Sequence, residues 1–241
     1  MKKIFRELNK NGFVLLNGFL SKEKEFLEFK KYIKCFYEDA FNIKNKKIYE
    51  YDKIITSYFR MGKNVSAYIN DNINLSPGLQ KILTSNKILT LVSKILKVKK
   101  DKLIFNNQRF RIQIPNNDKI SNLPWHQDSH YNKITNTKSI VVWISISNIS
   151  KEMGPIIFKK KSHKLGKLRK VKYKKPNGAI VHSVNMNNSK LKKLESMSMN
   201  TLSGDIILID MNSVHTSGYN NTEDKIKYSA QARYHFVKNY I

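Results

Sequence analysis

From Lys102 onward the chain breaks into short apolar runs separated by Asn, Asp, Gly and Pro, and this spacing constrains the fold more than any other feature. The runs are Leu103 to Ile114, Ser139 to Ile149, Gly154 to Phe158, Gly178 to Val184, Asp205 to Met211 and Lys227 to Val237. Many short strands at such intervals predict a sandwich or barrel. The preceding residues differ in character. A strand-like run at Gly12 to Leu16 is followed by stretches at Lys22 to Tyr37 and Leu79 to Leu96, whose apolar residues recur at helical spacing. We expect one domain over 1–241, with 1–100 a helix-rich flank carrying the first strands and 101–241 the barrel core; mainly-β folds of this length commonly form one unit.

Hydrophobic residues make up 40% of the chain and aromatics 11%, enough to build a core despite the charge. The formal net charge of +27 would suit an anionic partner such as nucleic acid. Lys, Asn and Ile are, however, abundant throughout, as AT-rich coding alone would produce. The densest basic segment, KKKSHKLGKLRKVKYKK at residues 159 to 175, holds one aromatic, Tyr173, among ten Lys or Arg. It reads as a solvated loop, or as a rim drawing an anionic small molecule toward a pocket. Cys35 is the single cysteine, so no internal disulfide or Cys-based zinc site can form, and a reducing compartment fits. The start, MKKIFRELNKNGFVLLNGFL, lacks an unbroken apolar stretch and is not read as a signal peptide. Nowhere do about 18 apolar residues run together. A soluble, cytoplasmic location without a membrane span is the expectation.

Residues Leu123 to Asn132 read LPWHQDSHYN. In an extended segment residues i and i+2 project to one side, so His126 and Asp128 can converge on one ion. A third ligand must come from elsewhere, and His215 closely follows the apolar run in DIILIDMNSVHTSG. Two imidazoles and one carboxylate leave positions open for a co-substrate and O2, which favours Fe(II) oxygenase chemistry, although zinc accepts the same ligands. If the segment stays extended, His130 shares that face and could be a further ligand, a donor to the ligands or a substrate contact, the last two being favoured.

Four blocks resemble the phytanoyl-CoA dioxygenase-like family of Fe(II)/2-oxoglutarate oxygenases: PWHQDSHYN, SIVVWISISNISKEMGPIIF, KSHKLG and SGDIILIDMNSVHTSGYNNT. Their order and spacing agree with that family over nearly the whole chain, and NGFVLLNGFLSKEKE looks like its opening strand and helix. The resemblance implies a mainly β fold with flanking helices, a double-stranded β-helix or cupin-like jelly-roll barrel. It implies His126, Asp128 and His215 as iron ligands and Trp143 as a ring against 2-oxoglutarate. Family members hold the far carboxylate of 2-oxoglutarate with a basic residue, usually Arg, beyond the second His. Here that spacing falls on Ile226, and one extra residue in the turn YNNTEDKI brings Lys227 and Ser229 into register. Lysine cannot grip a carboxylate bidentately as arginine does.

The last strand supports this choice by alternation: Lys227, Ser229, Gln231, Arg233 and His235 share one face, and Tyr228, Ala230, Ala232, Tyr234 and Phe236 the other. Arg233 is the alternative anchor. Upstream, Arg111 and Gln113 alternate toward Pro115 and are candidate contacts to co-substrate or substrate, as is Asn132. The implied activity is hydroxylation of a small metabolite, anionic if the basic segment acts as a rim, with release of succinate and CO2, and with loops at Lys46 to Ser66 and Lys159 to Ser198 choosing the substrate. The competing reading is a catalytically silent barrel serving as a basic binding module for nucleic acid or another anionic partner.

Overall fold

The computed structural model describes residues 1–115, 122–131 and 138–236. Its centre is a five-stranded antiparallel sheet in the order β1, β8, β3, β10, β2. These strands are β1 (Phe13–Leu16), β2 (Leu103–Gln113), β3 (Ile140–Ser145), β8 (Ile206–Asp210) and β10 (Lys227–Phe236). A second sheet orders β7 (Ser196–Met199), β4 (Ile156–Lys159) and β9 (His215–Ser217). A separate hairpin joins β5 (Lys170–Lys174) to β6 (Ile180–Val184).

Strand alternation decides which side chains meet which layer. On β3 all six residues are buried: Ile140, Val142 and Ile144 pack toward the helices, whereas Val141 and Trp143 join Phe158, Met199 and Ile207 between the two sheets. Such two-sided burial explains its unbroken apolar run. On β10, Tyr228, Ala230, Ala232 and Tyr234 belong to the helix-side core, which sends Lys227, Ser229, Gln231 and Arg233 inward.

The helices that precede β2 are α1 (Lys2–Asn11), α2 (Lys24–Phe41), α3 (Ile48–Arg60), α4 (Val65–Asn74), α5 (Pro77–Leu83) and α6 (Asn86–Leu96). They cover the outer face of the large sheet, with Phe29 of α2 edge-on to Phe110 of β2, ring centroids 5.9 Å apart. The stretch Leu79 to Leu96 is two helices rather than one. Ser76 caps α5 through its Oγ, which accepts from Leu79 N–H at 3.2 Å, and Thr84, Ser85 and Asn86 favour helix ends over interiors. The segment expected as a loop at Lys46 to Ser66 is mostly α3, which buries Tyr51 and Ile55 at helical spacing. Edge strand β2 is covered by α4, whose Asn74 and Asn70 accept the N–H groups of Phe110 and Ile112 at 2.6 and 3.0 Å; this leaves less open edge for another chain to pair with.

Candidate metal centre

His126 and His215 are brought together by backbone before any side-chain contact. They face each other across an isolated antiparallel bridge, with each N–H donating to the other's carbonyl at 3.0 Å. Val214, the neighbour of His215, is fixed by its N–H to Ser162 Oγ at 2.8 Å, so the KSHKLG block acts by holding β9 in place. Gln127 side chain joins three segments: it donates to the carbonyls of Gly166 and Asn212 at 2.9 and 2.7 Å and accepts from Leu168 N–H at 2.8 Å. It is fully buried, and its neighbours in sequence are the two ligands that it steadies.

The segment does not stay extended after Gln127. A turn of 3-10 helix spans Asp128–His130, which aims Asp128 at the two imidazoles and turns His130 away, its Nε2 2.9 Å from the Leu168 carbonyl. The face-sharing expectation for His130 is corrected by that turn.

Ligand atoms of His126, Asp128 and His215 lie within 4.8 Å of one another, all three residues being buried. Nδ1 of His126 is 2.8 Å from the Pro124 carbonyl and Nδ1 of His215 is 3.0 Å from the Ser213 carbonyl. A carbonyl can only accept, so each Nδ1 carries a proton, which leaves Nε2 as the ring nitrogen turned toward a metal. Burial, then the adjacent His215, pushes His126 down to about 3, so it is neutral at physiological pH. Burial alone would raise the Asp128 carboxyl, but Arg233 and the two imidazoles outweigh it and hold the group down at about 2.

Asp128 divides its oxygens. Oδ1 accepts from the Arg233 guanidinium, whereas Oδ2 is buried, has no hydrogen-bond partner among the described residues and lies 3.6 Å from His215 Nε2. A buried carboxylate oxygen without a donor is costly, and a cation between Oδ2 and the two Nε2 atoms removes that cost. The residues therefore fit a divalent metal. Arg233, the alternative anchor, faces inward on β10 as the alternation required, but its guanidinium is engaged by the ligand carboxylate. Its partner was hidden in sequence because 105 residues separate the two.

Beside the cluster lies a cavity of about 430 Å³ lined in part by His126, His215, Trp143, Lys227 and Ser229. Lys227 Nζ donates to the Gly154 carbonyl at 2.5 Å. Gly154 has φ +69°, and a Cβ there would stand 2.4 Å from the Gly218 carbonyl oxygen, so only glycine lets this turn reach the lysine. Ile226 packs into the helix-side core, which is why the register moves on to Lys227. Gln113 pairs with Lys227 across β2 and β10 and donates to the Gly218 carbonyl at 3.0 Å. Arg111 pairs with Ser229 and also lines the cavity. Asn132 lies outside the described residues. Of the stretch Lys159 to Ser198, Lys175 and Asn177 at the hairpin tip reach this cavity, and so do Asn64 and Ser66 before and within the first turn of α4. Lys175 stood inside the basic run at 159–175, where nothing in the sequence set it apart.

The profile of the phytanoyl-CoA dioxygenase (PhyH) family matches residues 8–227. No curated protein sequence matches. Among solved structures, the epimerase SnoN in complex with Fe3+, alpha ketoglutarate and nogalamycin RO superposes with a TM-score of 0.66 at 14% identity, covering 100% of this chain and 87% of that one. EvdO2 from Micromonospora carbonacea var. aurantiaca complexed with 2-oxoglutarate gives 0.63 at 13%, covering 98% and 91%. The non-heme alpha ketoglutarate dependent carbocyclase SnoK gives 0.64 at 12%, covering 98% and 84%. At these identities the likeness establishes the fold, a mainly antiparallel jelly-roll type with flanking helices.

Proposed function

The chain belongs to the phytanoyl-CoA dioxygenase (PhyH) family, a family of non-haem iron, 2-oxoglutarate-dependent oxidoreductases, and on that premise we propose that it hydroxylates a small metabolite, releasing succinate and CO2. The observation that carries this reading is the buried Oδ2 of Asp128, without a donor among the described residues, gathered with ligand atoms of His126 and His215. His126, Asp128 and His215 would hold the iron by one face. When bound, Fe(II) supplies the capacity to activate O2 at the expense of 2-oxoglutarate.

The remaining residues bind and orient. Lys227, buried beside Ser229, supplies the cation for the far carboxylate of 2-oxoglutarate. Trp143, also on the cavity wall, gives the co-substrate a flat apolar surface, and Gln113 steadies the Gly218 turn behind Lys227. Arg233 keeps one carboxylate oxygen of Asp128 occupied and so directs the other to the metal. Asp128 fills the place that family halogenases leave open for halide, which favours oxidation over halogenation. The neighbouring epimerase and carbocyclase indicate that related centres serve other outcomes; hydroxylation is distinguished from both by the gain of one oxygen atom in the product. The lone, exposed Cys35 suits a reducing, cytoplasmic setting, and we read the whole chain as one catalytic unit.

The test is succinate formation from 2-oxoglutarate with Fe(II) in oxygen. Wild type is expected to produce it and His215→Ala to produce none. Lys227→Ala should raise the 2-oxoglutarate concentration for half-maximal rate by roughly tenfold or more, the loss of about 1.4 kcal/mol or more of binding. A folded wild type that yields no succinate contradicts the proposal.

A further inference from the structure

Arg111 carries a charge that the protein does not match. Its guanidinium makes no hydrogen bond or ion pair among the described residues, although it lines the cavity that contains His126 and His215. Burial lowers its pKa, and Arg109 and Arg233 alongside lower it further, with Asp128 opposing them; these neighbours place it next to the metal ligands. Asp128, the carboxylate whose charge bears on it, is already engaged by Arg233, and Asp71 on the same cavity wall forms no ion pair with it among the described residues. Arginine cannot shed its proton at neutral pH, so the charge stays in the cavity and calls for an anion.

A second cation is delivered to the same place by a dedicated element. The five residues of β5 are exposed, yet Lys175, the next residue, is only 8% exposed. The turn that follows is tight, with Gly178 N–H donating to the Lys175 carbonyl at 2.9 Å. The base of the hairpin is tied to the metal-binding segment. Val184 N–H donates to the Trp125 carbonyl at 2.8 Å, and Tyr131 Oη donates to the His182 carbonyl at 3.0 Å. The ammonium of Lys175 lies close enough to Arg111 for their charges to repel, which together with burial lowers its pKa.

We propose that Arg111 and Lys175 form a receptor for an oxyanion of the substrate, a phosphoryl or carboxylate group, separate from the Lys227 assigned to 2-oxoglutarate. The guanidinium fork offers two parallel donors to such a group and the ammonium adds a point charge. Holding that group beside the ligand cluster orients the rest of the molecule toward the metal. The inference rests on the oxygenase reading for where the substrate lies.

The test is anaerobic calorimetric titration of methyl phosphate, and separately of acetate, into the full chain loaded with Fe(II) and 2-oxoglutarate. At least one of the two should bind once per chain, methyl phosphate pointing to a phosphoryl substrate and acetate to a carboxylate. Arg111→Gln and Lys175→Gln should each weaken that binding by roughly tenfold or more, and Lys172→Gln, an exposed hairpin lysine, should leave it unchanged. Failure of both anions to bind the loaded wild type overturns the proposal. So does equal weakening by Lys172→Gln, or weaker 2-oxoglutarate binding in Arg111→Gln with anion binding intact. The same titration on metal-free chain separates the two ideas: binding there that depends on Arg111 and Lys175, in a chain that fails to take up iron, keeps the subsite and removes the oxygenase reading.

Discussion

Arg233 and Lys227 sit on one face of β10, yet the fold gives them different work. Arg233 neutralises Asp128 in a site where both are buried, and breaking such a pair by removing one partner costs about 3–5 kcal/mol. Arg233→Ala should therefore lower stability to chemical denaturant by that order, and weaken Fe(II) affinity about 10- to 100-fold as residues behind metal ligands do. Lys227→Ala should leave Fe(II) affinity alone. Alternation along β10 made the inward face legible in the sequence, but which of its two cations pairs with Asp128 depended on the position of a carboxylate far away in the chain. A further residue was invisible for the same reason. Asp52 of α3 is buried against β10, accepting from Tyr228 Oη and from Ile226 N–H, and burial raises its pKa to about 7 despite these donors. The folded state thus holds this proton more tightly than the unfolded chain. Its contribution is fully present below the ordinary carboxyl pKa of about 4 and is lost as pH rises through about 7. Asp52→Asn should lose this dependence, so the stability difference between wild type and variant should change by up to about 1.4 kcal/mol per pH unit across that window. Parallel denaturant curves at several pH values read it directly, and a constant difference contradicts it.

At the scale of elements, most strands could be read from runs bounded by turn residues, and the observed limits move by only a few positions. The missed strands are the short or polar ones. β7 is Ser196–Met199, with Ser and Met alternating, and β9 has three residues; neither carries enough apolar pattern to stand out, and both exist because β4 pairs with them on either side. β5 was read as a solvated loop because its lysines are indeed solvated. The turn at Gly154 is sensitive to change. Gly154→Ala forces a left-handed φ on alanine and drives its Cβ into the Gly218 backbone; it should cost more than about 1 kcal/mol and reduce 2-oxoglutarate affinity, since Lys227 loses its carbonyl partner. The edge caps on β2 give a second check. Asn74→Ala strips the acceptor from Phe110 N–H and should cost about 1–3 kcal/mol, as thermal or denaturant unfolding would show.

Across the whole molecule the positive charge is the feature least explained by the fold. Lys and Arg total 45 against 18 acidic residues, and the ion pairs that form are mostly exposed lysines with Glu, such as Lys81 with Glu28, which contribute little. If the excess were a nucleic-acid surface, tight binding to duplex DNA would survive physiological salt. Without such a surface the chain should show only non-specific affinity that falls by about 10³-fold or more between 50 and 200 mM salt, measured by fluorescence anisotropy. No described helix is long and apolar enough to cross a membrane. The proposed oxygenase places a catalytic iron on His126, Asp128 and His215 together with 2-oxoglutarate. Anaerobic titration of the full chain with Fe(II) in the presence of 2-oxoglutarate tests it most directly. A weak visible charge-transfer band should saturate at one iron per chain and disappear in Asp128→Ala; a folded wild type without the band, or a variant that keeps it, would contradict the assignment.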